Sequence, residues 1–146
     1  MSQRDYTAGI LGMEEIEVEE VYQNGGEMRI RFRKQRTQTA CPACGTETDR
    51  VHDYHTNVLR DIPISGKVTR LEYRRRRYVC PCCKKRFLEP FAYAGKHQRT
   101  TGRLALYGLE LARERRSGKS IAAELGVSAS SVNRWLGSHH LHRNQR

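Results

Sequence analysis

Apolar and charged residues alternate in the first part of the chain, as they do in strands with one buried face. From Ile16 to Arg33 the alternation runs out and back through Asn24-Gly25-Gly26, residues that favour a tight turn between two strands. The pattern predicts a β-hairpin with one apolar face. On its other face, glutamates of the first strand would pair with arginines of the second, which we favour over contact between these arginines and DNA. The charged positions are Glu17, Glu19, Arg29, Arg31 and Arg33.

The alternation returns in the middle of the chain. Residues 50–55 and 58–63 predict two short strand pieces, residues 64–67 a turn, and residues 68–79 a longer strand. Residues 87–96 then form a connector, with a proline and a glycine as breaks.

Four consecutive arginines stand in the longer strand, and successive side chains of a strand point to opposite faces. Two interpretations of this run stay open. One set of guanidinium groups contacts DNA phosphates, or the groups stack in the region of nearby aromatic and histidine side chains. The arginines are Arg74, Arg75, Arg76 and Arg77, and the side chains near them are Tyr73, Tyr78, His52 and His55.

From Thr101 onward the apolar spacing changes to three and four residues, which is the period of a helix. Leu104, Tyr107, Gly108 and Leu111 form one stripe, and the pattern predicts a helix that ends at Ser117-Gly118.

Residues 120–136 have the spacing of a helix-turn-helix, with Gly126 at the turn and Ser128 as the cap of the second helix. Ile121, Ala122, Leu125, Val132, Trp135 and Leu136 would face inward. This leaves Ser130, Ser131, Asn133 and Arg134 on the outside, where a recognition helix meets base edges. An ordinary helical hairpin is the alternative.

Two C-x-x-C pairs, Cys41/Cys44 and Cys80/Cys83, predict a site for one structural zinc ion. Four protein ligands close the tetrahedron, so no position stays open for a reacting water. Cys82 is a fifth cysteine inside the second pair, and the matched spacing favours Cys83 over it. Because the segment between the pairs has few apolar residues, we expect zinc to supply much of its folding energy.

Charge and composition narrow the functional classes. The 146-residue chain has a formal charge of +11. Residues 1–29 hold two basic and seven acidic residues, so the positive charge lies in the rest of the chain and indicates nucleic acid as a partner. The sequence has no apolar run long enough for a membrane span and no evident signal peptide. Together with metal-type cysteine pairs, this favours the reducing cytoplasm and, for a bacterial DNA-binding protein, the nucleoid.

The order of these motifs resembles the N-terminal part of insertion-sequence transposases of the ISL-three group. The resemblance rests on the cysteine pairs, Arg50–Tyr54, Leu59–Ile64, the arginine run that enters Cys80, and the helices of residues 120–136. It implies a zinc-binding domain and a helix-turn-helix that together recognise the ends of the element. In such transposases a nuclease domain with three acidic metal ligands follows, and we expect none in this chain. We expect Asp53 and Asp61 to pair with arginine rather than bind metal.

The sequence therefore predicts an α+β protein, a small zinc-ribbon-like β domain followed by a helical helix-turn-helix domain. The expected parts are an N-terminal hairpin at 1–36, the zinc domain at 37–95, the helix-turn-helix at 96–137 and a polar tail at 138–146. The expected function is sequence-specific binding of double-stranded DNA at terminal inverted repeats, without catalysis, with a second copy or a full-length transposase as protein partner. The alternative is a zinc-ribbon module for protein interaction or transcription regulation.

Overall fold

A computed structural model describes residues 9–13, 15–95 and 98–143, and only the backbone of residues 138–143. Within these residues, a short helical segment at 9–11 precedes the strands, and three longer helices follow them. The strands are β1 (Ile16–Gln23), β2 (Glu27–Lys34), β3 (Thr39–Ala40), β4 (Glu47–Thr48), β5 (Val51–Ile64), β6 (Lys67–Val79) and β7 (Arg86–Leu88). The helices are α1 (Gly102–Arg113), α2 (Gly118–Leu125) and α3 (Ala129–Arg143). The predicted α+β class is confirmed.

The main sheet has the strand order β1-β2-β6-β5, and β7 also pairs with β6. The strands β3 and β4 form a separate two-stranded sheet, with Thr39 opposite Thr48. The predicted hairpin of β1 and β2 is confirmed, as is the long strand β6.

The described chain divides into two compact units, and each is taken by itself. The first contains Met1–Tyr22, Arg29–Val58 and Leu71–Phe91, and the second contains Gln23–Met28, Leu59–Arg70 and Ala92–Arg146. Each unit thus combines segments that are distant in sequence. The sequence-based division at residues 36, 95 and 137 stays a prediction.

The core of the first unit is aromatic. The rings of Phe32 and Tyr73 stack with centroids 5.0 Å apart, and Phe91 lies 4.4 Å from Tyr73. Ile30 and Leu71 are fully buried as well. Each such side chain contributes about 1.5–3 kcal/mol when it leaves water, so this unit has a substantial apolar core of its own.

The opposite, charged face of the hairpin carries the predicted cross-strand pairs. Arg33 lies 3.0 Å from Glu17, and Arg31 lies 3.1 Å from Glu20. Glu72 of β6 adds a third carboxylate, 3.2 Å from Arg31. These arginines are about two-fifths exposed, so each pair adds only a few tenths of a kcal/mol.

The second unit is built around the three helices. Leu104, Ile121, Leu125 and Val132 are fully buried there. Gly108 allows Trp135 to pack closely, because a Cβ at residue 108 would lie 2.8 Å from the indole ring. Small and branched residues at helical spacing thus meet as the sequence predicted.

Caps and a tight turn set the ends of α2 and α3. The Ser117 hydroxyl accepts a hydrogen bond from the Ser120 amide, and the Ser128 hydroxyl accepts one from the Ser131 amide, both at 3.1 Å. Gly126 has a left-handed backbone (φ 70°), which a residue without a side chain adopts at little cost.

Three element boundaries differ from the sequence-based prediction. The two predicted strand pieces form the single strand β5, because nothing between them breaks pairing with β6; Pro63 is tolerated since β5 is the last strand of the order. Helix α1 ends at Arg113, before the left-handed Arg115 (φ 60°). Helix α3 continues to Arg143, past the predicted end at Leu136, because no proline stops it. The side chains of the predicted polar tail at 138–146 lie outside the described part of the chain.

The structure also bears on membrane insertion. No helix among the described residues combines the length and the apolar character that a bilayer crossing requires.

A candidate metal centre and a candidate nucleic-acid surface

The two cysteine pairs sit in turns with the same backbone hydrogen bonds. The carbonyl of Cys41 accepts from the amide of Gly45 at 2.9 Å, and the carbonyl of Cys80 accepts from the amide of Lys84 at 3.0 Å. The amide of each first cysteine donates to the carbonyl five residues ahead, at 2.9 Å in both turns. The C-x-x-C spacing therefore folds locally into two matching knuckles.

The knuckles bring four sulfurs together. The Sγ atoms of Cys41, Cys44, Cys80 and Cys83 all lie within 4.8 Å of one another. The distance is 3.6 Å from Cys41 to Cys83 and 3.5 Å from Cys44 to Cys80. A tetrahedral zinc ion with ~2.3 Å bonds needs sulfurs about 3.8 Å apart, so this set fits and could bind one zinc ion.

The fifth cysteine lies outside this set. Cys82 is exposed, and Cys83 supplies the fourth sulfur as the matched spacing predicted. Cys41 and Cys80 are buried whereas Cys44 and Cys83 are exposed. The cluster thus sits at a surface, with one buried sulfur from each knuckle.

The electrostatics of the thiols favour a bound cation. The hydroxyl and then the amide of Thr46 lower the pKa of Cys44 to about 6. The Lys85 amide lowers the pKa of Cys83, but lost hydration and the neighbouring sulfurs outweigh it and raise the value to about 12. Four thiolates this close repel one another, and a divalent cation that replaces their protons removes that repulsion.

Two arginines of the run on β6 hold acidic partners. Arg74 lies 2.9 Å from a Glu19 oxygen, and its guanidinium also stacks 4.6 Å from the ring centre of Tyr54. Arg77 forms a two-bond pair with Asp53. The predicted pairing of Asp53 with an arginine is confirmed. An arginine of the run also stacks on an aromatic ring, but the ring is that of Tyr54 and not of Tyr73 or Tyr78.

The other two arginines differ in their access to solvent. Arg75 is half-buried, its Nε donates to the Glu89 carbonyl at 2.7 Å, and it takes part in none of the ion pairs found among the described residues. Arg76 has a side chain only 3 % exposed, 3.5 Å from the Glu89 carboxylate. Its Nη1 also donates to the Lys34 carbonyl at 2.5 Å. The expected contact of Arg76 with DNA is corrected, because a buried, paired guanidinium cannot reach a phosphate.

Three of the four positions predicted to face outward from α3 are exposed. Ser130, Asn133 and Arg134 are exposed, and Ser131 is half-buried beside the capping Ser128. Val132 is fully buried. Among the ion pairs of the described residues, none involves Arg134.

The sequence carried no signal for the contacts that hold residues 98–101, the segment before α1. The Asp61 carboxylate, only 1 % exposed, accepts from the Thr101 hydroxyl at 2.7 Å and pairs with Arg103 through two bonds. The predicted pairing of Asp61 with an arginine is confirmed. Its partner was hidden, because only the fold brings residues 61 and 103 together.

A cleft of about 560 Å³ lies in the same unit. One wall is the segment before α1, with Arg99, and the other is the first turns of α3, with Arg134 and Trp135. The sequence carried no signal for it, since its two walls are far apart in the chain.

Comparisons with known proteins agree with this site. Residues 37–83 match a family described as the zinc-finger of transposase IS204/IS1001/IS1096/IS1165. A 94-residue stretch, 64% of this chain, is 33% identical to the transposase for insertion sequence element IS1001 of Bordetella parapertussis. That stretch spans only 23% of the relative's length. No solved structure matches the chain. The resemblance to the N-terminal region of ISL-three group transposases is confirmed.

Proposed function

We propose that this chain is the DNA-recognition part of an insertion-sequence transposase and binds the terminal inverted repeats of its element. The first unit, called the β unit from here on and stabilised by zinc, would share this DNA binding with a helix-turn-helix. The observation that carries the proposal is the match of residues 37–83, with their four clustered sulfurs, to a transposase zinc finger.

The surface of α3 supports DNA readout by the second unit, called the helical unit from here on. Ser130, Asn133 and Arg134 point outward from its first turns. An asparagine can bond adenine and an arginine can bond guanine in the major groove. The buried Ile121 and Val132 hold α2 and α3 together behind this surface, as in a helix-turn-helix whose second helix enters the groove.

For the β unit, the proposal centres on Arg75. Arg74 and Arg77 share their charges with Glu19 and Asp53, so a phosphate must compete with those carboxylates. Arg75 donates to a carbonyl and keeps its full charge for a phosphate. Such contacts fix the protein on the duplex without reading sequence.

The first experiment is selection of bound duplexes from a random pool, followed by titration of the selected site. Arg134→Ala should weaken binding to that site by about 1–3 kcal/mol and relax the preference at one base pair. Arg113→Ala is the matched control, because it removes the same charge from an exposed residue already paired with Glu110 at 3.1 Å. Full sequence preference in the Arg134 variant would mean that α3 does not read the bases.

A second experiment separates the β unit from the helical one. Arg75→Ala should lower the affinity for all duplexes alike and reduce the slope of log affinity against log salt by about 0.9. If instead the intact chain selects no DNA but retains a protein partner, the alternative of a zinc-ribbon interaction module replaces this proposal.

A further inference from the structure

The cleft of the helical unit is lined by basic and hydroxyl-bearing residues. Among the described residues that line it, Arg99 and Arg134 are charged and none is acidic. Thr100, Ser128 and Ser131 line it as well. A wall of cations and hydroxyl donors suits an anion with several oxygens.

The Arg99 wall is held rigidly by strand β5. The Arg60 amide donates to the Arg99 carbonyl, and the Thr101 amide donates to the Arg60 carbonyl, both at 2.9 Å. The Thr101 hydroxyl is bound by the buried Asp61 carboxylate as well. The backbone on either side of residue 100 is therefore fixed before any ligand arrives, so little ordering entropy is lost on binding.

The charge of Arg99 is available, whereas several other described arginines of the same unit share theirs with a carboxylate. Arg103 pairs with Asp61, Arg116 pairs with Glu124, and Arg113 pairs with Glu110. Arg99 is exposed, and no ion pair found among the described residues includes it. Arg99 therefore offers its charge on a hydrogen-bonded backbone, beside the exposed surface of α3. It is suited to bind a phosphate of the DNA strand that this surface would contact.

We propose that the cleft binds one phosphate group of the DNA backbone at Arg99, directly beside the base pair that Arg134 contacts. This inference rests on the proposed DNA-binding function and extends the interface from α3 to the segment before α1. The two arginines of the cleft then have separate roles, since one positions the backbone and the other reads a base.

The test uses Trp135, the single tryptophan of the chain, as an internal probe because it lines the cleft. Selected duplex is titrated into the full chain while acrylamide quenching of tryptophan emission is followed. Bound DNA should protect Trp135 from the quencher. Inorganic phosphate at the same ionic strength should not; equal protection by phosphate would mean a free-anion site and overturn the DNA assignment.

Substitutions then separate the two arginines. Arg99→Ala should lower affinity on the order of tenfold for every duplex and reduce the salt slope by about 0.9, with sequence preference unchanged. Arg99→Lys should restore most of the affinity, because a phosphate accepts from either cation. Arg113→Ala supplies the charge-matched control.

The outcomes distinguish a failure of the cleft assignment from a failure of the proposed DNA-binding function. Failure of the unsubstituted chain to bind duplex DNA defeats the proposed function itself. If the chain binds DNA, but Arg99→Ala behaves as Arg113→Ala or Trp135 stays equally open to acrylamide, then the cleft assignment alone is wrong.

Discussion

At the scale of single residues, the two knuckles differ at one matched position. Gly45 and Lys84 both have left-handed backbones, with φ of 77° and 65°. Glycine adopts this conformation freely, whereas a lysine is strained in it by roughly 1 kcal/mol.

Replacing Lys84 by glycine should therefore stabilise the protein by about 0.5–1 kcal/mol in urea unfolding, since relief of strain exceeds the gain in unfolded-state freedom. The reverse change, Gly45→Ala, should cost about 1 kcal/mol. A Cβ at residue 45 meets no atom within 4 Å, so that cost would report backbone strain alone. Equal stability of both variants and the parent chain would show that this position carries no strain.

Glu89 is a buried carboxylate with several partners in the first unit. It is 2 % exposed, it accepts from the Tyr73 hydroxyl at 2.5 Å and from the Arg76 amide at 3.1 Å, and it neutralises the buried Arg76 guanidinium. Burial, followed by the bond to Glu89, raises the pKa of Tyr73. This role could not be predicted from the sequence, because residues 87–96 have the composition of a connector.

Glu89→Gln should lower the free energy of unfolding by about 3–5 kcal/mol, because it leaves the Arg76 charge buried without a counter-ion. Glu17→Gln is the control. That residue pairs with Arg33 on the exposed face and should cost less than 1 kcal/mol. Comparable small losses in both variants would mean that the Arg76 guanidinium finds water or another partner.

At the scale of elements, the apolar core changes what zinc is expected to do. The sequence suggested that zinc supplies much of the folding energy around the knuckles. The structure adds a stack of Phe32, Tyr73 and Phe91 and a buried Tyr78. The strands β2 and β6 contribute all of these rings except Phe91, which follows β7. By contrast, β3 and β4 are two residues long each and β7 is three, so these short strands depend on the knuckles.

Removal of zinc by a strong chelator should thus expose the amides of residues 39–50 and 80–88 to hydrogen exchange while the central amides of β6 stay protected. Cys83→Ser should give the same pattern together with loss of zinc from the purified chain. Cys82→Ser should retain one zinc per chain, because Cys82 lies outside the sulfur cluster. Global unfolding on chelation would show that the aromatic core cannot hold the long strands alone.

The turn between α2 and α3 depends on one glycine. A Cβ at Gly126 would lie 2.4 Å from a Val68 methyl, and φ there is 70°. Gly126→Ala should therefore cost about 2–4 kcal/mol through overpacking and strain together. Gly66→Ala isolates the backbone strain, because φ at residue 66 is 72° but a Cβ there meets nothing within 4 Å. This substitution should cost about 1 kcal/mol.

Elements with strong local signals were predictable. The β1–β2 hairpin, β6 and the helices α1 to α3 follow from alternation, from helical spacing and from the cap Ser128. The continuity of β5 was not predictable, because its pairing with β6 decides it rather than its own residues. The zinc ligands were predictable from spacing, whereas the cleft and the Asp61 contacts depend on chain segments that only the fold brings together.

At the scale of the whole molecule, the formal charge of +11 already subtracts the acidic residues, and the ion pairs indicate which cations remain for DNA. Many arginines are already paired, among them Arg31, Arg33, Arg74, Arg77 and Arg103. The proposed contacts use three arginines that appear in none of the ion pairs found among the described residues, Arg75, Arg99 and Arg134. The salt dependence of binding should accordingly reflect a few phosphate contacts rather than the total charge.

The last prediction concerns strand cleavage. Cleavage of the transposase kind needs two metal ions ~3.5–4 Å apart, held by acidic side chains. Here Asp53 and Asp61 are each held by an arginine, and Glu89 by Arg76. The four clustered cysteines would surround one zinc ion and leave it no position for an attacking water.

We therefore expect the chain to bind duplexes that carry the terminal repeats without nicking them in magnesium or manganese. Added to a full-length transposase of the same element, it should compete for the repeats and inhibit cleavage. Arg134→Ala should abolish this inhibition, while Arg113→Ala should leave it intact. Cleavage by the purified chain, lost when Asp53 or Asp61 is changed to asparagine, would instead assign these carboxylates to a catalytic centre.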